Sequence, residues 1–388
     1  MRIVHCFRAP VGGLFRHVLD LAGAQAAAGH DVGLIADNTA TDELTGQRLA
    51  AIAPQLSLGI ARIAMPRQPS PADFAAHRAV VAHAAGLALD VLHGHGAKGG
   101  AFARLAGRTL KARGQPVKVF YTPHGGTLNY KPGSLKSRIF MGLERIFDPM
   151  TDGLIFESAF AARVYGERVG AGRAARLVVH NGLKAQDFAA QRPNADAADL
   201  LFIGELRPIK GVDVLLKALA VVNAGRDTPL TAVIVGSGPD AEALQSQAIK
   251  LGLARSVRFA GAMPAALALP MGRTMAVPSR KESFPYVVLE AAAAGMPLIS
   301  TDVGGISEIV EGTDTALIAA GDIAGLAAAI EAVTGDVKTA QQRAGRLRAA
   351  VSARFTVEQM TRSILAFYEQ AAAEAVPMAS SHPAQQPA

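Results

Sequence analysis

The chain has 388 residues, half of them hydrophobic, with no tryptophan, one cysteine and a formal charge of +7. That length fits two domains, each able to bury its own core, and no apolar run is long enough to span a bilayer. Cys6 alone excludes an intrachain disulfide; with no signal-peptide pattern at the start, a reducing, cytoplasmic location is expected.

Residues 3–7 read as a buried strand, 14–28 as a helix ended by Gly29, and 32–36 as a second strand. Further strands are predicted at 90–93, 117–122, 153–156 and 177–180. This alternation implies a parallel sheet with helices on both faces. The polar stretch 186–198 reads as a linker closing a first domain at 1–185. The rhythm then restarts in 199–354, with strands at 200–204, 230–235, 257–260 and 298–300 and helices at 212–222 and 240–251. A terminal helix follows over 355–375, opened by a capping box of Thr356 and Gln359. Residues 376–388 are Pro, Ser, Gln and Ala and are expected to be disordered. The expected class is α/β, two doubly wound domains whose strand ends face a shared cleft.

Candidate ligand-binding residues fall at those strand ends. Pro10-Val11-Gly12-Gly13 lies between the first strand and first helix, where glycines let backbone N–H groups approach a phosphate. It is not the dinucleotide fingerprint, which argues against a nicotinamide dehydrogenase. In the second domain, Arg207 and Lys210 follow the first strand and suit a diphosphate. Glu282 precedes a short alanine-rich helix and Glu290 lies two turns inside it, bracketing a helix start that attracts anions. Further glycine turns lie at Gly236-Ser237-Gly238 and at Gly304-Gly305, the latter leading to Glu308. His124, between Pro123 and Gly125, is placed to face the cleft.

His93 and His95 are two apart, but no third ligand is suitably spaced, so no metal is expected there. Ten basic residues run from Lys98 to Arg145 against a single acid, Glu144. Such a run suits diphosphates or anionic lipid headgroups; nucleic acid is not expected, for want of interleaved aromatics. Within it, residues 134–147 form an amphipathic pattern. Both an interfacial and a core-facing helix fit that pattern, and the core-facing reading is preferred.

Gly12-Gly13, Arg207 with Lys210, and Glu282…Glu290 followed by Gly304-Gly305 occur in this order over two tandem domains. In this the chain resembles the retaining family 4 glycosyltransferases of the GT-B fold, from residue 1 to about 368. Val178-Val179-His180-Asn181-Gly182 is similar to the strand that ends the family's first domain. The resemblance implies a terminal helix that crosses back to that domain, and transfer of a sugar from a UDP- or GDP-sugar, without cofactor or metal. The acceptor it implies is a saccharide or lipid-linked saccharide in cell-surface glycan synthesis. Arg207 and Lys210 would hold the diphosphate, together with the N–H groups of Ser283 and Phe284. Glu282 and His124 would meet the transferred sugar, Glu290 the ribose, and Gly12 and Gly13 the phosphate. Two departures stand out: Glu205 occupies the family's usual arginine position, with Arg207 two residues on, and Pro285 removes one N–H from the phosphate loop. A sugar-nucleotide epimerase or phosphorylase, and a non-catalytic sugar-nucleotide-binding subunit, remain as alternatives.

Overall fold

The computed structural model describes residues 1–8, 12–39, 43–131 and 133–373. The first domain is built on β1 (Arg2–Phe7), β2 (Asp31–Asp37), β3 (Ile60–Ile63), β4 (Val91–His95), β5 (Lys118–Thr122), β6 (Gly153–Phe156) and β7 (Ala175–Val178). These pair in parallel in the order β3-β2-β1-β4-β5-β6-β7. The second is built on β8 (Ala198–Ile203), β9 (Ala232–Val235), β10 (Val257–Gly261), β11 (Gly272–Val277), β12 (Leu298–Thr301) and β13 (Leu317–Ile318), in the order β10-β9-β8-β11-β12-β13. Ile3, Val4, Cys6 and Phe7 of β1 are fully buried, as expected for a parallel strand covered on both faces.

In each sheet the strand order reverses once, between β1 and β4 and between β8 and β11. The loops after those strands diverge there and leave a crevice, the usual ligand position of a doubly wound sheet. Gly13 opens the helix after β1, Lys210 and Glu282 follow β8 and β11, and His124 follows β5, the neighbour of β4. Pro10 and Val11 lie outside the described residues, as do residues 374–388 with the expected tail.

Three strands carry too little sequence signal to be predicted. β3 and β13 are short, partly exposed edge strands with little alternation, and β11 opens on Gly272 and Arg273. The linker holds a short 3-10 turn, Ala185–Phe188. The terminal helix spans Val357–Ala373 and is preceded by a separate helix, Val337–Arg354. Only half of the expected capping box forms. Thr356 Oγ1 accepts from the Gln359 N–H, while Gln359 Nε2 turns away to the Ala353 carbonyl.

The crossover joins the domains at backbone level. Leu183 N–H donates to the Phe355 carbonyl and Val357 N–H to the Leu183 carbonyl, at 2.9 and 3.0 Å. A Cβ at Gly182 would lie 2.3 Å from Thr356 backbone, so only glycine lets the two strands of chain pass this closely. Beyond this crossing, Met360, Ile364, Phe367 and Tyr368 pack with Ile3, Leu21 and Phe120 in the core of the first domain.

The helix Leu135–Phe147 corrects the core-facing preference. Its inward residues are Ser137, Met141 and Glu144, while Leu135, Ile139 and Ile146 are 73%, 53% and 60% exposed. The cause is Arg104, fully buried and stacked on Tyr121 and Phe147. It takes Glu144 Oε2 at 2.7 Å, and Tyr121 OH donates to Oε1. Leaving that guanidinium buried without its carboxylate would cost about 3–5 kcal/mol, so the Arg104–Glu144 pair holds this face of the helix inward. The basic run is also thinner than its sequence suggests: Lys98 pairs with Asp73, and Lys111 and Lys118 with Asp152.

Ile364→Ala, which opens a cavity in the crossover core, is expected to lower unfolding stability by about 2–5 kcal/mol in a denaturant titration. A loss below about 1 kcal/mol would mean the terminal helix does not complete the first-domain core.

Candidate active site

The loop after β8 is folded back on the loop after β11. Gly211 has φ +70°, and a Cβ there would sit 1.9 Å from the Pro278 carbonyl. This close approach lets Lys210 Nζ reach Glu282 Oε1 and Oε2 at 2.7 and 2.9 Å. Ser279 Oγ donates to the same carboxylate at 2.6 Å. Gly304, at φ +65°, presses on the Glu282 carbonyl from the other side; a Cβ would lie 2.2 Å away. Arg207 is not brought to this cluster. Its side chain is exposed and lies 3.5 Å from Glu205, the residue that departs from the family pattern. Arg280, which the sequence pattern did not mark, makes a two-pronged pair with Asp213, 2.7 Å on each side, and fixes the loop.

Glu290 lies in the helix Tyr286–Ala293, whose N-cap is Pro285 with no side-chain cap. The first N–H groups of that helix therefore have no capping side chain. Gly13 comes against this start: a Cβ there would meet the Tyr286 ring at 3.4 Å. The Glu290 carboxylate is held from the first domain by Arg16. Arg16 also binds Asp187 at 2.6 Å and Asp20 at 3.3 Å, and its guanidinium lies over the Tyr286 ring. Burial raises the Glu290 pKa, and the Arg16 charge offsets only part of that. Locally Arg16 reads only as an i,i+4 pair with Asp20; its partners Asp187 and Glu290 lie 171 and 274 positions away.

Three more contacts span the cleft. Ser283 Oγ donates to Glu157, whose carboxyl burial pushes up and whose Oε2 has no partner among the described residues. Asn181 Nδ2 donates to the Phe284 carbonyl at 2.9 Å. Glu308 accepts from the N–H groups of Ala159 and Phe160, at 2.8 and 2.9 Å, and meets His180 Nε2 at 2.9 Å. Between the domains is a cavity of about 280 Å³ lined by Gly125, Phe160 and Arg168 on one side and Lys281, Glu282 and Ser283 on the other.

His124 adjoins this cavity through Gly125 and has φ +51°, a strained conformation for a non-glycine residue. It ends a hydrogen-bonded ladder. His124 Nε2 meets His95 Nδ1 at 3.0 Å, His95 Nε2 meets His5 Nδ1 at 2.9 Å, and His5 Nε2 meets Gln25 Oε1 at 2.7 Å. With the Gln25 carbonyl as final acceptor, each ring donates from Nε2 and accepts on Nδ1. His124 is thereby left with a bare Nδ1 lone pair, an acceptor for a hydroxyl. His17 donates from Nδ1 to Asn181 Oδ1, leaving its buried Nε2 without a partner.

The spacing of His93 and His95 showed no third ligand, but the fold supplies one. His5, His93 and His95 bring ligand atoms within 4.8 Å of one another, as do His17, His95 and His124. Both nitrogens of His5 and of His95 are taken by hydrogen bonds, so the cluster as placed is a ladder rather than a set of free ligands. Burial keeps these rings neutral. It lowers His5 and His17 from 6.5 to about 4, and holds His93, His95 and His124 well below 6.5.

Comparison with known proteins gives a consistent picture. Residues 11–187 match the family described as Glycosyltransferase Family 4, and residues 197–336 match Glycosyl transferases group 1. A glycogen synthase of Mycobacterium tuberculosis is 34% identical over 377 residues, covering 89% of this chain and 88% of that protein. A D-inositol 3-phosphate glycosyltransferase of Geodermatophilus obscurus is 34% identical over 245 residues, 57% of this chain and 54% of its own length. The crystal structure of Anabaena HepE in complex with UDP-glucose superposes with a TM-score of 0.78 at 21% identity, covering 95% of this chain and all of that one.

The neutral histidines set a pH dependence. An unfolded histidine binds its proton below about 6.5, whereas folded His5 and His17 wait until about 4. The unfolded state thus binds more protons in that window, and stability falls as pH drops from 6.5 toward 4. Each ring contributes on the order of 3 kcal/mol across the full window. Denaturant titrations at pH 7.5 and 5 are expected to show a clear loss at the lower pH; an unchanged stability would contradict neutral burial of the ladder.

Proposed function

The chain belongs to glycosyltransferase family 4, and from that premise we propose that it moves a sugar from a nucleotide-diphosphate donor to a hydroxyl acceptor with retention at the anomeric carbon. The observation that carries this is the Lys210–Glu282 pair, set beside the uncapped start of the helix Tyr286–Ala293. An ammonium has three donors, and Glu282 occupies two of them. The third is left for a phosphate oxygen. The helix start adds backbone N–H groups and the positive end of its dipole.

In that pose Glu282 accepts from hydroxyls of the transferred sugar. Arg16 holds Glu290 by Oε1, leaving Oε2 to accept from a ribose hydroxyl. As the glycosidic bond lengthens, positive charge grows on the sugar ring and negative charge on the departing diphosphate. Lys210 and the helix start stabilise the latter, and this is the protein's main contribution to the rate; no metal is needed for it. His124 offers Nδ1 to a hydroxyl near the same sugar. Pro285 leaves the phosphate to Ser283, Phe284 and the first turn.

HepE was crystallised with UDP and with UDP-glucose, which supports a uridine diphosphate sugar as donor. The acceptor is a saccharide or lipid-linked saccharide, and the setting is cell-surface polysaccharide or glycolipid synthesis at the cytoplasmic face of a membrane. No helix among the described residues is long and apolar enough to cross one.

Donor-turnover kinetics test the assignment. Lys210→Ala and Glu282→Ala are each expected to lower kcat/KM by about a hundredfold or more. Arg207→Ala, solvent-facing beside Glu205, is expected to cost less than about tenfold. Product NMR should show the donor's anomeric configuration preserved. Near wild-type turnover in both the Lys210 and Glu282 variants, or an inverted product, would sink the reading.

A further inference from the structure

One buried nitrogen among the first-domain histidines stands idle. His17 is 1% exposed and donates from Nδ1 to Asn181, while its Nε2 has no partner among the described residues. Its ring stands edge-on to His124, with centroids 4.8 Å apart, and 5.6 Å from His95. His17, His95 and His124 each bring a ligand nitrogen within 4.8 Å of the others. The neighbouring trio of His5, His93 and His95 is different, because every nitrogen in it is hydrogen-bonded. His93 Nδ1 meets Tyr368 OH at 2.6 Å and its Nε2 meets Thr122 Oγ1 at 2.9 Å. Both sides of His5 and of His95 are taken by the ladder.

The tautomers of the trio with His17 suit a metal ion. The ladder leaves a lone pair on His95 Nδ1, facing His124, and the bond to Asn181 leaves one on His17 Nε2. Asn181 is itself fixed as the acceptor, since its Nδ2 donates to the Phe284 carbonyl. Each of the two rings thus donates its other N–H to a neighbour, His95 to His5 and His17 to Asn181. That is the outer support that orients a metal-bound imidazole. Only His124 has to change: a proton leaves Nε2 and one is taken up at Nδ1, so no net proton is released. Burial keeps all three rings neutral, so none must lose a charge before it binds.

Distances agree with this. His95 Nδ1 and His124 Nε2 are 3.0 Å apart, and two nitrogens on a tetrahedral zinc ion lie about 3.3 Å apart. An ion can therefore take the place of that hydrogen bond with a shift of about 0.3 Å. The His17 nitrogen has no more than about 1.5 Å to close, within the play of the ring torsions. His95 and His124 line a first-domain cavity of about 660 Å³, which supplies an entry path and room for a fourth ligand. Three imidazoles without a carboxylate select zinc over magnesium or calcium.

We propose that His17, His95 and His124 form a zinc site that switches the transferase off. Bound at His124 Nε2, the ion turns Nδ1 from an acceptor into an N–H donor, so the ring no longer accepts from a hydroxyl of the transferred sugar. Zinc is here an inhibitor and takes no part in the transfer. The inhibition rests on the transferase reading, whereas the site rests on the geometry of the three rings.

Full-length protein stripped with a chelator is titrated with Zn²⁺ by calorimetry, and the visible spectrum of its Co²⁺ form is recorded. Wild type should bind one Zn²⁺, with Mg²⁺ and Ca²⁺ at least about a hundredfold weaker, and Co²⁺ should give the intense absorption of a four-coordinate ion. His17→Gln should bind Zn²⁺ about a hundredfold or more weakly. His77→Ala with His83→Ala, away from the trio, should bind it as wild type does. In turnover assays Zn²⁺ should inhibit wild type in step with occupancy and leave the residual turnover of His17→Gln unaffected. Both proteins meet the same zinc and the same donor, so this contrast separates the site from chelation of the diphosphate. The proposal is overturned if wild type binds no Zn²⁺, if His17→Gln binds it equally, or if Co²⁺ shows the weak absorption of a six-coordinate ion. The Co²⁺ spectrum needs only wild type, so it decides the site even where a variant fails to fold. Zinc bound without inhibition overturns the switch. A chain that transfers no sugar in the absence of zinc counts against the transferase reading, and calorimetry and the Co²⁺ spectrum still decide the site.

Discussion

One buried cation ties the two domains and their connecting turn together. Arg16, on the first helix of the first domain, binds Glu290 in the second domain and Asp187 in the connecting turn, with Asp20 behind it. Glu290 is three-quarters of the way along the chain, inside a helix whose start faces the cleft. Held there, its carboxylate keeps Oε1 on Arg16. A buried carboxylate without that partner would be strongly destabilising, so the contact sets how the domains meet. Ser283 with Glu157, and Glu308 with the helix start at Ala159, repeat the theme on the other side of the cleft.

Backbone geometry supports the same closure. The chain crosses between domains twice, at Gly182 and at Thr356, and the two crossings are hydrogen-bonded side by side. A hinge of this kind restricts the relative motion to a small set of rotations about one line.

The sheets are legible in the sequence because parallel strands buried on both faces read as apolar runs, as in Ile3–Phe7. Lys210, Glu282 and Glu290 stand out as candidates in the sequence because strand ends and helix starts have local signatures. What the sequence hides is everything decided at long range. Arg16 looks like a surface residue of an ordinary helix until Glu290 is placed opposite it. The histidine ladder needs His5, His95, His124 and Gln25, which come from inside β1, the end of β4, the loop after β5 and a helix. The outward stripe of Leu135–Phe147 reads as inward because the pattern alone cannot show that Arg104 and Glu144 claim the interior. Arg207 shows the converse: it has the right residue type near the right place, yet its side chain is turned to Glu205.

The proposed function requires that a nucleoside diphosphate bind at the Lys210 ammonium and the helix start beside Glu282. Calorimetric titration of UDP and GDP into wild type and into Lys210→Ala, at two salt concentrations, probes that site itself. At least one of the two should bind wild type, more weakly as salt rises, with about a tenfold or greater loss in the variant. Equal affinity in wild type and variant, or no binding of either nucleotide to wild type, would refute the site.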